Sequence, residues 1–260
     1  MKITPINLNR RSAMLGLAAT GSGLLAGSAV ADRGMLQSGR TTACHAGGVA
    51  TSAITKRVAL LSDFSGESMC RMTPDSVEGP YFICTDTISQ RLITEDRDGT
   101  PLTIALRVVD ASCTPIAGAV VDVWQCDARG NYSGHNVDPD NPGRGGRNRR
   151  EPDLPSRFLR GVLATDVDGV AEFDAIYPGY YGGRAIHTHF KVHVGQQVFL
   201  TSQAVYPEDW NAKIMAQKLY SDGRLTKRVS NATDRFAANM FTVHTRGDHL
   251  LATQTLAVPA

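Results

Sequence analysis

"IHTHFKVHV", residues 186–194, is the stretch on which the reading of the fold turns. Its Ile, Phe, Val and Thr content, together with its visible alternation, reads as a β-strand. In a strand, residues two apart point to the same face, so His187 and His189 look in one direction. Working outward, "LTIALRVVD" (102–110), "AVVDVWQCD" (119–127), "RFLRGVLATD" (157–166), "GVAEFDAIY" (169–177) and "QVFLTSQAVY" (197–206) have the same texture. Turn residues punctuate them, as in "TPIAG" (114–118) and "DVDG" (166–169). Short strands at this spacing predict an all-β protein, an antiparallel β-sandwich or barrel core with long loops. One or two short helices are expected, the main candidate being "EDWNAKIMAQKLY" (208–220). "NVDPDNPGRGGRNRREPDLP" (136–155) is polar, rich in Gly and Pro and poor in strand formers, and reads as a long surface loop able to shape or cover a pocket.

The 260 residues carry 27 basic and 25 acidic side chains, a formal net charge of +2, with no long basic stripe. That balance gives no support for nucleic-acid binding. No run of about 18 or more strongly apolar residues exists, so no stable membrane span is expected. At the N-terminus, "NRRSAML" places Arg10 and Arg11 before a mildly apolar stretch, and "AVA" (29–31) offers a small-x-small cleavage pattern. Residues 1–31 read as a twin-arginine-type export signal, which implies a periplasmic or secreted protein. Residues 32–69 read as a low-complexity linker, and 70–250 as the β-sandwich domain. Export permits disulfides. Of five cysteines, Cys44 falls in the linker, and two bridges are expected among Cys70, Cys84, Cys113 and Cys126, with the pairing open.

His-x-His alone is a weak sign of a metal site. The neighbouring tyrosines in "YPGYYGGRAIHTHFKV" (177–192) sharpen it. A phenol has an unperturbed pKa of about 10, and only a strongly positive neighbour makes it a phenolate at neutral pH. Two phenolates and a hydroxide would cancel the charge of ferric iron, with two neutral imidazoles completing the shell. A two-Tyr, two-His set therefore points to Fe(III).

The sequence resembles the intradiol ring-cleavage dioxygenases, a family that includes catechol and protocatechuate dioxygenases. The resemblance runs through "CRMTPDSVEGPYF" (70–82), "VWQCDARGNYSG" (123–134), "RGVLATDVDGVAEF" (160–173), "YPGYYGGRAIHTHFKV" and "LTSQAVY" (200–206). It implies ferric iron bound by Tyr132, Tyr181, His187 and His189 on a β-sandwich, with Tyr180 the rival for the second tyrosine and Tyr177 a core aromatic. It implies a catechol-type substrate, O2 as co-substrate, and ring opening between the two hydroxyl-bearing carbons to a muconate-type dicarboxylic acid. Tyr181 would act as a proton acceptor, with Tyr132 and His187 as the lasting part of the shell. Arg184 would steady developing negative charge and contact substrate, Gln203 would orient the metal surroundings, and Tyr81 would line the pocket. The exported context resembles a less characterised branch of the family. A reading from another class is an exported β-sandwich that binds a metal or aromatic ligand without turnover.

Overall fold

The computed structural model describes residues 44, 57–64, 70–84, 90–142 and 150–260, all within the compact unit Gly39–Ala260. The export signal expected over 1–31 lies outside the described residues. Nine described strands form two sheets. The first contains β1 (Pro101–Val109), β4 (Val170–Ile176), β8 (Thr242–Arg246) and β9 (His249–Ala257), in the order β4-β1-β9-β8. The second contains β2 (Val120–Trp124), β3 (Arg160–Ala164), β5 (His187–Val194), β6 (Gln197–Val205) and β7 (Asn239–Met240), in the order β3-β2-β5-β6-β7.

The six strands read from the sequence are present. The sheets are mixed rather than purely antiparallel, because β1 pairs parallel with β9 and β6 parallel with β7. Both parallel partners come from the C-terminal region, where no strand was expected. β9 is an inner strand of its sheet and runs to Ala257, past residue 250. The helical stretch is two pieces, α1 (Glu208–Met215) and α2 (Lys218–Ser221). Gln217 between them is extended, with ψ 139°, which stops one continuous helix.

Between the sheets lies the apolar core. Ile104, Leu106 and Val108 of β1 and Phe173 of β4 meet Val121, Val123, Phe190 and Val192 of β2 and β5. Burying such side chains contributes roughly 1.5–3 kcal/mol each. Because side chains alternate, the same strands send Trp124, His187, His189 and Lys191 to the other face, yet these are buried too. Segment 70–84 covers that face. Ser76 N–H donates to Thr201 O (2.9 Å), the Ser202 hydroxyl to Pro74 O (2.7 Å), and Lys191 pairs with Glu78. The Lys191 ammonium also lies 4.3 Å from the centre of the Phe82 ring.

Both ends of this covering segment stand at disulfide distance from other cysteines. Cys70 faces Cys113 and Cys84 faces Cys44, with Cα–Cα separations of 5.1 and 5.5 Å, inside the range a bridge requires. The expectation of a bridge through Cys126 is overturned: that thiol is buried and unpaired among Tyr81, Phe82, Trp124, Tyr132 and Tyr181. Cys44, read as part of a linker, takes its place. Residues 57–64, in the same stretch, also pack on the first sheet. Ala59 and Phe64 bury against Ala105, Val170 and Leu251, and the Glu172 carboxylate accepts from the Val58 and Ala59 N–H groups at 3.0 and 2.7 Å.

Candidate metal centre

Strand register builds the floor of the site. Arg160 of β3 lies opposite Trp124 of β2, Trp124 opposite His189 of β5, and His189 opposite Gln203 of β6. Directly paired residues project to one side of a sheet, so these four make a lateral row on the covered face. The Trp124 indole lies flat on the His189 ring, with centroids 4.9 Å apart and planes 2° apart. His187 stands two residues along the same strand, and the two Nε2 atoms are 3.1 Å apart. His187 Nδ1 is 2.7 Å from the Ala185 carbonyl, which can only accept, so the proton of the neutral ring sits there and Nε2 presents its lone pair. Burial, then the charge of Arg184, holds His187 well below the ordinary histidine pKa; burial, His187 and Arg184 do the same for His189.

The tyrosines arrive on two loops that touch. After β2 the chain turns through Asp127–Asn131, with Gly130 in the left-handed region at φ 91°. Arg160 then grips Ser133, its Nε donating to the hydroxyl and its Nη2 to the carbonyl, both at 2.8 Å, which fixes Tyr132. The second loop crosses at Gly179, whose N–H donates to Asp127 O (3.0 Å). A Cβ on residue 179 would stand 2.3 Å from Ala128 O, so only glycine lets the loops close on each other. The Tyr132 and Tyr181 rings are thereby 5.6 Å apart, and Tyr181 is 5.6 Å from His187.

Tyr181 rather than Tyr180 joins this group. The Tyr180 hydroxyl donates to Thr226 O (2.8 Å), with the Arg224 guanidinium 4.1 Å over its ring. Tyr177 is a core residue that donates to Asn211 Oδ1 (2.8 Å). Tyr81 packs on both grouped tyrosines, stacked on Tyr132 at 4.5 Å and edge-on to Tyr181 at 5.7 Å. Gly79, on the same covering segment, presses against His189, where a Cβ would lie 3.3 Å from Cε1.

Arg184 is buried and fully engaged. Its Nε donates to Asp234 Oδ2 (2.9 Å), Nη2 to Gln203 Oε1 (2.8 Å), and Nη1 to the Tyr181 hydroxyl (3.0 Å). Gln203 in turn donates to Phe236 O, and the Phe236 ring lies 4.9 Å below the guanidinium. Gln203 thus orients Arg184 directly and His189 only as its cross-strand neighbour.

The donor set suits a highly charged cation. Burial pushes the Tyr181 phenol up to about 12 even with Arg184 beside it, and burial and the neighbouring Tyr181 raise Tyr132 well above the usual tyrosine range. The Tyr132 hydroxyl is buried without a hydrogen-bond partner among the described residues. The His187 Nε2 lone pair and a buried phenol without a hydrogen-bond partner among the described residues each lack what a cation would supply. Among the described residues no three His, Cys, Asp or Glu side chains converge on one point, so a metal here relies on the phenols.

Sequence reasoning did not find Asp234, Trp124 or Phe236. Trp124 was within reach, since the alternation of "VVDVW" puts it on the face opposite Val121 and Val123. Asp234, in "SNATDRF", carries no motif, and only the folded chain brings it to Arg184.

The profile of the family described as Dioxygenase matches residues 77–247. An intradiol ring-cleavage dioxygenase from Tetranychus urticae is 32% identical and superposes with a TM-score of 0.66, over 73% of this chain and 96% of that one. The dioxygenase domain of a dioxygenase carbohydrate-binding protein fusion from Streptomyces sp. SirexAA-E is 28% identical, with a TM-score of 0.51 over 72% and 97% of the two chains. Catechol 1,2-dioxygenase 1 of Acinetobacter lwoffii is 30% identical over 154 residues, 50% of this chain and 45% of that protein. The chain spans 39–50% of the length of the curated relatives it matches. Nearly the whole of the T. urticae enzyme is matched, and the family profile covers most of the β-sandwich together with both histidines and both tyrosines. The chain belongs to the intradiol ring-cleavage dioxygenase family.

Proposed function

We propose that the protein cleaves a catechol-type ring between its two hydroxyl-bearing carbons. One carbon–carbon bond breaks, both atoms of O2 are incorporated, and the product is a muconate-type dicarboxylic acid. The observation that carries this reading is the convergence of Tyr132, Tyr181, His187 and His189 beside a fixed guanidinium. Those four residues would hold ferric iron. When bound, that ion supplies the charge that ionises the phenols and draws electron density from a catecholate. Relatives named as catechol and chlorocatechol 1,2-dioxygenases support the substrate class.

Within the protein, each residue has a separable task. Tyr132, held through the Arg160 grip on Ser133, and His187, oriented by Ala185 O, are the fixed members. The Tyr181 oxygen accepts a proton from the incoming catechol, and the Arg184 Nη1 contact steadies that oxygen in either state. Negative charge that builds on the ring is met by the same guanidinium, which cannot give up its proton. Tyr81 and Trp124 close the site to water with aromatic surface. The cysteine pairs at disulfide distance support an oxidising compartment, in keeping with the twin-arginine pattern.

The test is a visible absorption spectrum of iron-loaded protein before and after anaerobic addition of catechol. A broad tyrosinate-to-iron band that moves to longer wavelength is expected. Colourless protein with stoichiometric iron would refute the ligand set and favour a binding module without turnover. Tyr181→Phe is expected to retain iron while slowing catechol binding and O2 uptake by about 10²–10⁴-fold, the usual worth of a positioned proton acceptor. Unchanged oxygen uptake would take Tyr181 out of the mechanism.

A further inference from the structure

We infer that Asp234 is a positioning residue for this reaction, holding both Arg184 and the backbone of Ala185, the residue whose carbonyl orients His187; the inference rests on the site proposed above. Asp234 Oδ2 accepts two hydrogen bonds, from Arg184 Nε at 2.9 Å and from Ala185 N–H at 2.8 Å. The carbonyl of that same Ala185 accepts from His187 Nδ1 at 2.7 Å. One carboxylate oxygen therefore fixes the guanidinium that touches Tyr181 and anchors, one peptide group upstream, the residue whose carbonyl sets the His187 tautomer. The other oxygen accepts from Phe236 N–H (2.9 Å), which anchors the carboxylate to its own turn.

That turn forms the back wall of the site. Asp234 N–H donates to Ser230 O (3.0 Å), Val229 N–H to Arg184 O (3.2 Å), and Phe236 offers its carbonyl to Gln203 and its ring face to Arg184. With a side-chain exposure of 1%, Asp234 is held where its attraction for Arg184 is little screened by water. Three buried acceptors, Asp234, Tyr181 and Gln203, one on each nitrogen, give the guanidinium one orientation, and a group held in one orientation needs no reorganisation when charge develops beside it. Asp234 does not reach the reacting atoms; its effect passes through Arg184 and Ala185.

The experiment is a double-mutant cycle of Asp234→Asn and Arg184→Gln on iron-loaded protein, read as kcat, KM for catechol and the position of the tyrosinate-to-iron band. Asp234→Asn is expected to lower kcat and kcat/KM together by about 10–100-fold and to shift the band. In the Arg184→Gln background it should add a smaller loss, the part that passes through Ala185 and His187. An equal loss in both backgrounds, or a folded Asp234→Asn protein with parental kcat and band, would overturn the inference. Should Asp234→Asn not fold, Asp234→Glu with and without Arg184→Gln decides by the same comparison. A parent protein without the iron band would refute the proposed function instead. The Asp234–Arg184 coupling would then be read from thermal melting of the four metal-free proteins, where strongly non-additive shifts support it and additive shifts overturn it.

Discussion

Replacing Arg184 with Gln is expected to lower kcat by about 10²–10³-fold and the melting temperature by on the order of 10 °C. The kinetic loss follows from removing a fixed donor beside the atom where charge changes, the magnitude seen when one preorganised donor is deleted. Nη1 lies 3.0 Å from the Tyr181 hydroxyl, and glutamine offers neither the reach nor the charge to replace it. The stability loss has a different source. Asp234 has a side-chain exposure of 1%, and without Arg184 its carboxylate is left buried with only the backbone N–H groups of Ala185 and Phe236. Stranding one member of a buried ion pair costs about 3–5 kcal/mol, or on the order of 10 °C of Tm in a domain of this size. Oxygen uptake with catechol and a thermal melt of the same sample check both. Parental turnover in a destabilised protein would reduce Arg184 to a structural role.

Tyr132→Phe should separate metal binding from folding. The Tyr132 hydroxyl is buried without a hydrogen-bond partner among the described residues, so deleting it removes a desolvated group without breaking a hydrogen bond to them. An unmet buried polar group costs about 1–3 kcal/mol, so the iron-free variant is expected to melt at or above the parent. Iron affinity should fall by more than the about 10–100-fold typical of losing an outer-shell partner, because a donor itself is lost. Iron content after dialysis, the visible band and the melt of the iron-free protein give the three readings. A variant that keeps stoichiometric iron and the parental band would exclude Tyr132 as a ligand. Stacking of Tyr81 on residue 132 survives the change, so the aromatic wall stays in place.

The two histidines were legible because a strand repeats every two residues, and a pattern that short lies wholly within "HTH". The tyrosines were legible only by resemblance. Nothing local to "GNYSG" or "PGYYGG" tells which phenols meet, and the choice between Tyr180 and Tyr181 rests on where Thr226 and Arg224 lie in the fold. The cysteines failed for the same reason. Cys126 follows strand β2 onto the covered face and is enclosed by aromatic rings, whereas the covering segment carries Cys84 to Cys44. The late strands were missed because β9 owes its place to parallel pairing with β1, from Leu102 against Leu250 to Val109 against Ala257, partners far away in sequence.

Alternation and turn chemistry by themselves determined that this chain is built of short strands closing on a β core and that one strand turns two imidazoles the same way. Both properties are local, set by the pleat and by residues a few positions apart. Tertiary structure alone decided which phenol joins which imidazole, which acid holds Arg184, and which thiol stays single. Those outcomes depend on sheet register and on two loops closing through Gly179, contacts between distant segments that exist only once the core has formed.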